Sequence, residues 1–273
     1  MAHIPAERCL DIIELLADGA RTMSLGEIAE RLKLPKSGAH RLLATLVALG
    51  WADQDPDTSF YRLTMRLATL GQQFFVATGI PDVCQPLLDR LANQCRDFAR
   101  LAVVDGDSLV WLAHAQGATG GLMYHPPQTA STVPLYATAS GKAWLATLPA
   151  ERAVQYVLKW SFADADKYGP NVIRSLEDLL RELKTTTERG YGLAQNEAEP
   201  GVTAIAAVIR SEDGIALGTV SIAGPSVRMT ESHITGLAPI VMQSASELAT
   251  LWPLRPRSSR IFPDRDVAQV MGQ

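Results

Sequence analysis

The stretch LGEIAERLKLPKSGAHRLLATLVALGW, Leu25 to Trp51, decides how the first part of this 273-residue chain folds. Ser24 precedes it and Glu27 follows three residues later. At that spacing the serine hydroxyl accepts a bond from one backbone N–H and the carboxylate accepts one from another, which closes the first turn of a helix. Met23 and Ile28 flank the turn as a hydrophobic staple, and Leu25, Ile28, Ala29 and Leu32 recur at helical spacing. Lys33-Leu34-Pro35 is a short link, and Pro35 suits the first position of a new helix, where no N–H is needed. That helix is predicted over about 35–49, with Ala39, Leu42, Leu43, Leu46 and Leu49 buried and Gly50 as its left-handed stop.

Upstream, residues 5–17 read as an acidic helix that turns Cys9, Ile12, Ile13 and Leu16 to one side and stops at Gly19. Downstream, two short strands at 51–54 and 60–63 enclose the turn-rich Asp55-Pro56-Asp57-Thr58-Ser59. Three helices followed by a hairpin make a winged helix-turn-helix. The outer face of its third helix carries Lys36, Ser37, His40, Arg41 and Thr45, and residues 31–52 hold four cations and no acid. The second helix of a helix-turn-helix enters the major groove with its N-terminal side chains on base edges, so this face is expected to meet double-stranded operator DNA. Gly38, in the first turn, costs the helix about 1 kcal/mol relative to alanine and is expected to let the backbone approach the groove. On the wing, Asp53, Asp55 and Asp57 repel phosphates, which leaves Arg62, with Ser59 and Thr58 beside it, to reach the DNA backbone.

A formal charge of -4 excludes a chain that coats nucleic acid or anionic membrane indiscriminately and confines recognition to a local patch. The three cysteines, Cys9, Cys84 and Cys95, form no Cys-x-x-Cys pair, which argues against a disulfide framework or a thiolate zinc site. No signal-peptide pattern and no membrane-length apolar run is apparent, so a cytoplasmic protein with no membrane partner is expected.

The length suggests two domains. Residues 64–77 read as a linker helix with an apolar face of Leu67, Leu70, Phe74 and Phe75, ended by Gly79 and Pro81. Beyond it the pattern predicts a helix at 82–95 and strands at 101–104 and 109–113 around Asp105-Gly106. Short helices follow at 140–147 and 150–158, then a helix capped by Ser175 with Asp178 that runs to Arg189 and Gly190. Strands at 202–209 and 215–222 and a last helix at 231–251 complete an α+β arrangement of a sheet covered by helices. The expected divisions are 1–63 for DNA binding, 64–80 for the linker helix, 81–252 for the second domain and 253–273 for a loosely attached tail carrying Arg255, Arg257 and Arg260.

Three segments in order resemble the IclR family of bacterial transcription regulators: Leu25–Trp51; PLYATASGKAWLA at 134–146; and the pair NEAEPGVTAIAAVIR and GTVSIAGP. The resemblance spans about residues 5–252. It implies an N-terminal winged helix-turn-helix, a dimerising linker helix and a C-terminal GAF-like effector domain, with no cofactor. As partners it implies operator DNA, a small-molecule effector and further copies of the chain, as a homodimer or a dimer of dimers. Such proteins repress or activate adjacent catabolic operons. By position, the effector pocket is implied to include Leu122, Ala139, Ser140, Asn196, Val202, Ala204, Ser221 and Ala223, with Tyr124 and His125 as further wall. These residues are mostly apolar with a few hydroxyl and amide groups, and the N–H groups of residues 139–141 suit a carboxylate, so the implied ligand is a small organic or aromatic acid. Gly38 stands where the family commonly has threonine, Tyr136 where histidine is common, and Asn196 where an acid is frequent.

Two rival classes fit the residues less well. Ser140-Gly141-Lys142 is like a phosphate-binding loop, but Tyr136 replaces its first glycine and Ala143 its magnesium-binding hydroxyl. With no Gly-x-Ser-x-Gly elbow and no metal-ligand histidine spacing, an enzyme is not expected. The alternative regulator is a redox sensor acting through Cys84 or Cys95, which requires an exposed thiol of low pKa.

Overall fold

The computed structural model describes residues 5–18, 21–126, 132–160 and 162–253. They form two compact units that divide between Ala77 and Thr78. Gly19, the expected stop of the first helix, and Arg255, Arg257 and Arg260 of the tail lie outside the described residues.

The first unit contains α1 (Pro5–Ala17), α2 (Leu25–Arg31), α3 (Lys36–Ala48), β1 (Ala52–Gln54), β2 (Tyr61–Leu63) and α4 (Arg66–Ala77). The capping box is present in full: the Glu27 N–H donates to Ser24 Oγ at 3.2 Å, and the Ser24 N–H donates to Glu27 Oε2 at 2.8 Å. Ile12, Leu16, Ile28, Leu43 and Leu46 close the core with Met23, Ala52 and Tyr61. Met23 also bridges to Tyr61 through its backbone, so the segment before α2 extends the β1–β2 hairpin. Helix α3 begins at Lys36 rather than at the expected Pro35. Pro35 keeps an extended ψ of 137° and offers its carbonyl to the Ala39 N–H, so it acts as the residue before the first turn.

The second unit is built on one antiparallel five-stranded sheet in the order β4-β3-β7-β6-β5. Its elements are α5 (Ile80–Cys95), β3 (Phe98–Asp105), β4 (Ser108–Gln116), α6 (Ala139–Leu145), α7 (Ala150–Trp160), α8 (Leu176–Arg189), β5 (Gly192–Gln195), β6 (Val202–Arg210), β7 (Ala216–Pro225) and α9 (Glu231–Thr250). Helices α5 and α9 pack on one face. On the other, α6 lies against β5, β6 and β7 through Ala139, Ala143, Ala194 and Ala206. A side chain at Gly141 would meet the Leu135 carbonyl oxygen at 2.2 Å, so α6 can run this close to the preceding segment only with glycine there. Strand β5, Gly-Leu-Ala-Gln, and a 3-10 turn over Phe162–Lys167 are the two elements that the sequence reading lacked. β5 contains no β-branched residue and is ordered by pairing with β6, a tertiary cause.

Candidate DNA-reading and effector sites

On the first unit, Lys36, Ser37, His40, Arg41 and Thr45 are all exposed on α3. Lys36, Ser37, His40 and Arg41 share one surface concavity with Leu25. Their placement follows from the helix period: Ala39, Leu43 and Leu46 point inward and rotate these side chains outward. The Thr45 hydroxyl donates to the Arg41 carbonyl at 3.0 Å and keeps lone pairs free to accept. Gly38 has no packing duty, because a Cβ there would meet only Pro35 Cδ, at an ordinary 3.9 Å. On the wing, Arg62 is exposed but donates to Asp53 Oδ2 at 2.9 Å, so its guanidinium is already engaged by a carboxylate of the same hairpin. Asp55 is taken up in the turn, accepting from the N–H groups of Asp57 and Thr58 and from the Thr58 hydroxyl. Those bonds hold its carboxyl below the usual carboxylate range.

In the second unit, the sheet face under α6 gathers part of the implied pocket. The register places Ala204 beside Ala223, and Ala206 beside Ser221, with Phe98 and Arg100 of β3 opposite Ala223 and Ser221. Side chains two apart share a face, which puts Val202, Ala204, Thr219, Ser221 and Ala223 on the side that α6 covers. Ala139 and Ser140 come from α6 itself, at 1% exposure each. The Ser140 and Thr219 hydroxyls are buried with no hydrogen-bond partner among the described residues. Buried hydroxyls of this kind call for a partner, because leaving one unmade costs about 1–3 kcal/mol.

The other implied residues are placed differently. Leu122 is 62% exposed, and its carbonyl accepts a bond from Arg228. His125 is exposed. Asn196 sits at φ 54° and accepts from the Gly201 N–H at 2.7 Å, which makes it a staple of the turn before β6. Tyr124 is half-buried and donates to Glu199 Oε1 at 2.7 Å; burial first, then that carboxylate, raise its pKa and keep the phenol protonated. At the start of α6 the Gly141 N–H already donates to Thr138 Oγ1 at 3.0 Å, which takes up one of the N–H groups expected to hold a carboxylate. A cleft of about 230 Å³ between α6, α8 and β6, lined by Thr147, Thr186, Tyr191 and Arg210 among others, contains none of the implied pocket residues.

A model of the IclR helix-turn-helix domain matches residues 5–56, and one of the C-terminal part of the bacterial transcriptional regulator IclR matches residues 72–250. This chain belongs to the IclR family. It is therefore a DNA-binding transcription regulator by family. Among relatives, the transcriptional regulator BhcR of Paracoccus denitrificans is 32% identical over 246 residues, covering 89% of this chain and 85% of BhcR. The transcriptional repressor AllR of Escherichia coli is 25% identical over 249 residues, covering 91% of this chain and 90% of AllR. An IclR homolog of Microbacterium hydrocarbonoxydans solved in complex with 4-hydroxybenzoate superposes with a TM-score of 0.72 at 25% identity, covering 90% of this chain and 98% of that one.

The main polar feature of this IclR-family effector unit that sequence reasoning missed is ionic. Lys142, in the segment likened to a phosphate loop, is 1% exposed and donates to both carboxylate oxygens of Glu197, at 2.7 and 2.8 Å. Glu182 of α8 lies 3.4 Å from the same ammonium and pairs with Arg189. The network ties α6 to the turn before β6 across 55 residues, a separation at which no spacing rule operates. Burial pushes the Glu197 carboxyl up, with Lys142 opposing. The cysteines lend no support to redox sensing: Cys84 and Cys95 are buried, and burial pushes both thiols up to about 11. Among the described residues no helix is long and apolar enough to cross a membrane, and no cluster of metal-binding side chains is found.

Proposed function

We propose that this IclR-family protein represses a catabolic operon and responds to a small organic or aromatic acid. Residues 1–63 read the operator, 64–80 link and dimerise, and 81–252 hold the effector. The observation that carries the DNA reading is the shared, exposed and acid-free face of Lys36, Ser37, His40 and Arg41 on a helix-turn-helix whose first helix is closed by a full capping box. The unpartnered Ser140 and Thr219 hydroxyls beneath α6 support a polar ligand there. Helix α4 buries none of its residues and exposes Leu70, Phe74 and Val76. A twelve-residue helix gains little stability by itself, so a second copy of the chain is the natural cover, giving a homodimer able to pair further on a palindromic operator.

The test is a mobility shift on the DNA beside the protein's own gene. Arg41→Ala is expected to weaken binding by about tenfold, the worth of one base-reading contact. Equal affinity at matched salt would remove α3 from the reading role. Calorimetry with a panel of small acids including 4-hydroxybenzoate tests the second half. No binding by any acid, or equal binding by Ser140→Leu, would refute the pocket.

A further inference from the structure

Arg100 stands on β3 in the middle of the sheet face that α6 covers, cross-strand from Ser221 of β7 and His114 of β4. Its guanidinium carbon lies 5.1 Å from the centre of the Phe98 ring and 4.7 Å from that of Trp111. Elsewhere in the second unit buried Lys142 has Glu197 beside it, half-buried Arg189 has Glu182, and exposed Arg228 has Asp97. Arg100 has no hydrogen bond and no ion pair among the described residues; two aromatic rings hold it instead. The acid that faces it, Glu199, does so only at longer range, with its Oε1 engaged by the Tyr124 hydroxyl. Burial pulls the pKa of Arg100 down, with Tyr124 and Glu199 opposing. Arg100 is half-buried, so its five N–H donors meet solvent beside two apolar rings, and an anion that displaces that water gains a charge-assisted fork of bonds.

The surroundings also describe the anion's body. Phe98 stacks on His114 at 5.3 Å and meets Tyr124 edge-on at 5.8 Å and 89°, so rings from β3, β4 and the segment after β4 cluster beside Arg100. Such rings favour a flat apolar body, and a guanidinium fork matches a carboxylate with two parallel bonds.

We infer that Arg100 is the carboxylate anchor of the effector site, and that the effector is an acid whose flat, conjugated body lies against Phe98, Trp111 and Tyr124. The inference rests on the effector reading above and adds a charged group to the α6 N-terminus, where Thr138 takes up the Gly141 N–H. The unpartnered Thr219 hydroxyl lies on the same covered face, and that of Ser140 on the helix above it.

The test titrates the full-length protein with benzoate, 4-hydroxybenzoate and the uncharged benzamide, comparing wild type with Arg100→Gln and Arg100→Lys. Wild type is expected to bind an acid at least about tenfold more tightly than benzamide, and Arg100→Gln to lose about tenfold for the acid and most of that discrimination. Arg100→Lys, which keeps the charge without the fork, falls between them. Acid binding by Arg100→Gln within about twofold of wild type overturns the anchor while leaving the effector site standing. Failure of wild type to bind either acid overturns the anchor for a flat acid, and failure of the whole acid panel overturns the effector reading with it. A thermal melt of each variant without ligand shows whether the fold is intact. Should Arg100→Gln melt early, equal binding of acid and amide by wild type and Arg100→Lys is the overturning result.

Discussion

Replacing Lys142 by methionine removes a cation that is 1% exposed and leaves Glu197, 11% exposed, with its two short bonds lost. Breaking one side of a buried pair costs about 3–5 kcal/mol, because the remaining charge stays desolvated and unpaired. At about 2–4 °C per kcal/mol for a unit of this size, the melting transition of the second unit should fall by roughly 6–20 °C. Calorimetric scans of the full chain at matched concentration read it directly, and the double variant Lys142→Met with Glu197→Leu should recover most of the loss. The pH dependence has a definite sign. Burial holds the folded-state pKa of Glu197 above its ordinary value, so its stability contribution is full below the unfolded value and is lost as pH rises through the folded one. Without Lys142 the upward push is opposed only by the bond that Glu197 accepts from the Gln195 N–H. The deficit should therefore be largest near about pH 8 and shrink toward about pH 5, where the carboxyl takes up a proton. A transition within about 2 °C of wild type, or a deficit that grows on acidification, would refute the reasoning.

Ser24→Ala removes the capping hydroxyl of α2 and should destabilise the first unit by about 1 kcal/mol in urea denaturation; an unchanged midpoint would show that the box is not formed in solution. Gly38→Ala should stabilise that unit by about 1 kcal/mol, since the added methyl meets nothing closer than 3.9 Å, yet weaken operator binding in a mobility shift. Unchanged or improved affinity would show that the backbone does not need to approach the groove there. Cys84 and Cys95 should react with an aromatic disulfide reagent only on unfolding, as their burial and raised thiol pKa require, and fast native labelling of either would revive the redox reading.

The DNA-reading half was legible in the chain because its determinants are local. Capping box, staple, Pro-led link and α3 stripe all act within a few residues of one another, and an amphipathic helix declares by its period which side chains face out. The effector half was legible only in outline. Resemblance nominated Ala204, Ser221 and Ala223, which strand alternation puts on one face, and also Leu122 and His125, which the structure leaves exposed. Loop side chains have no period from which orientation can be read.

By itself the sequence determined the helix-turn-helix, the basic face with its Gly38, the strand alternation and the family. Only the tertiary structure decided that Lys142 is a buried tie to Glu197 and not a phosphate ligand, that Asn196 serves a turn, and that Arg100 stands between two rings without a counter-ion. The physical reason is range. Caps and periods are set by neighbours in the chain, whereas the partner of a buried charge, or its lack of one, is set by which distant strands and helices the packed sheet brings beside it.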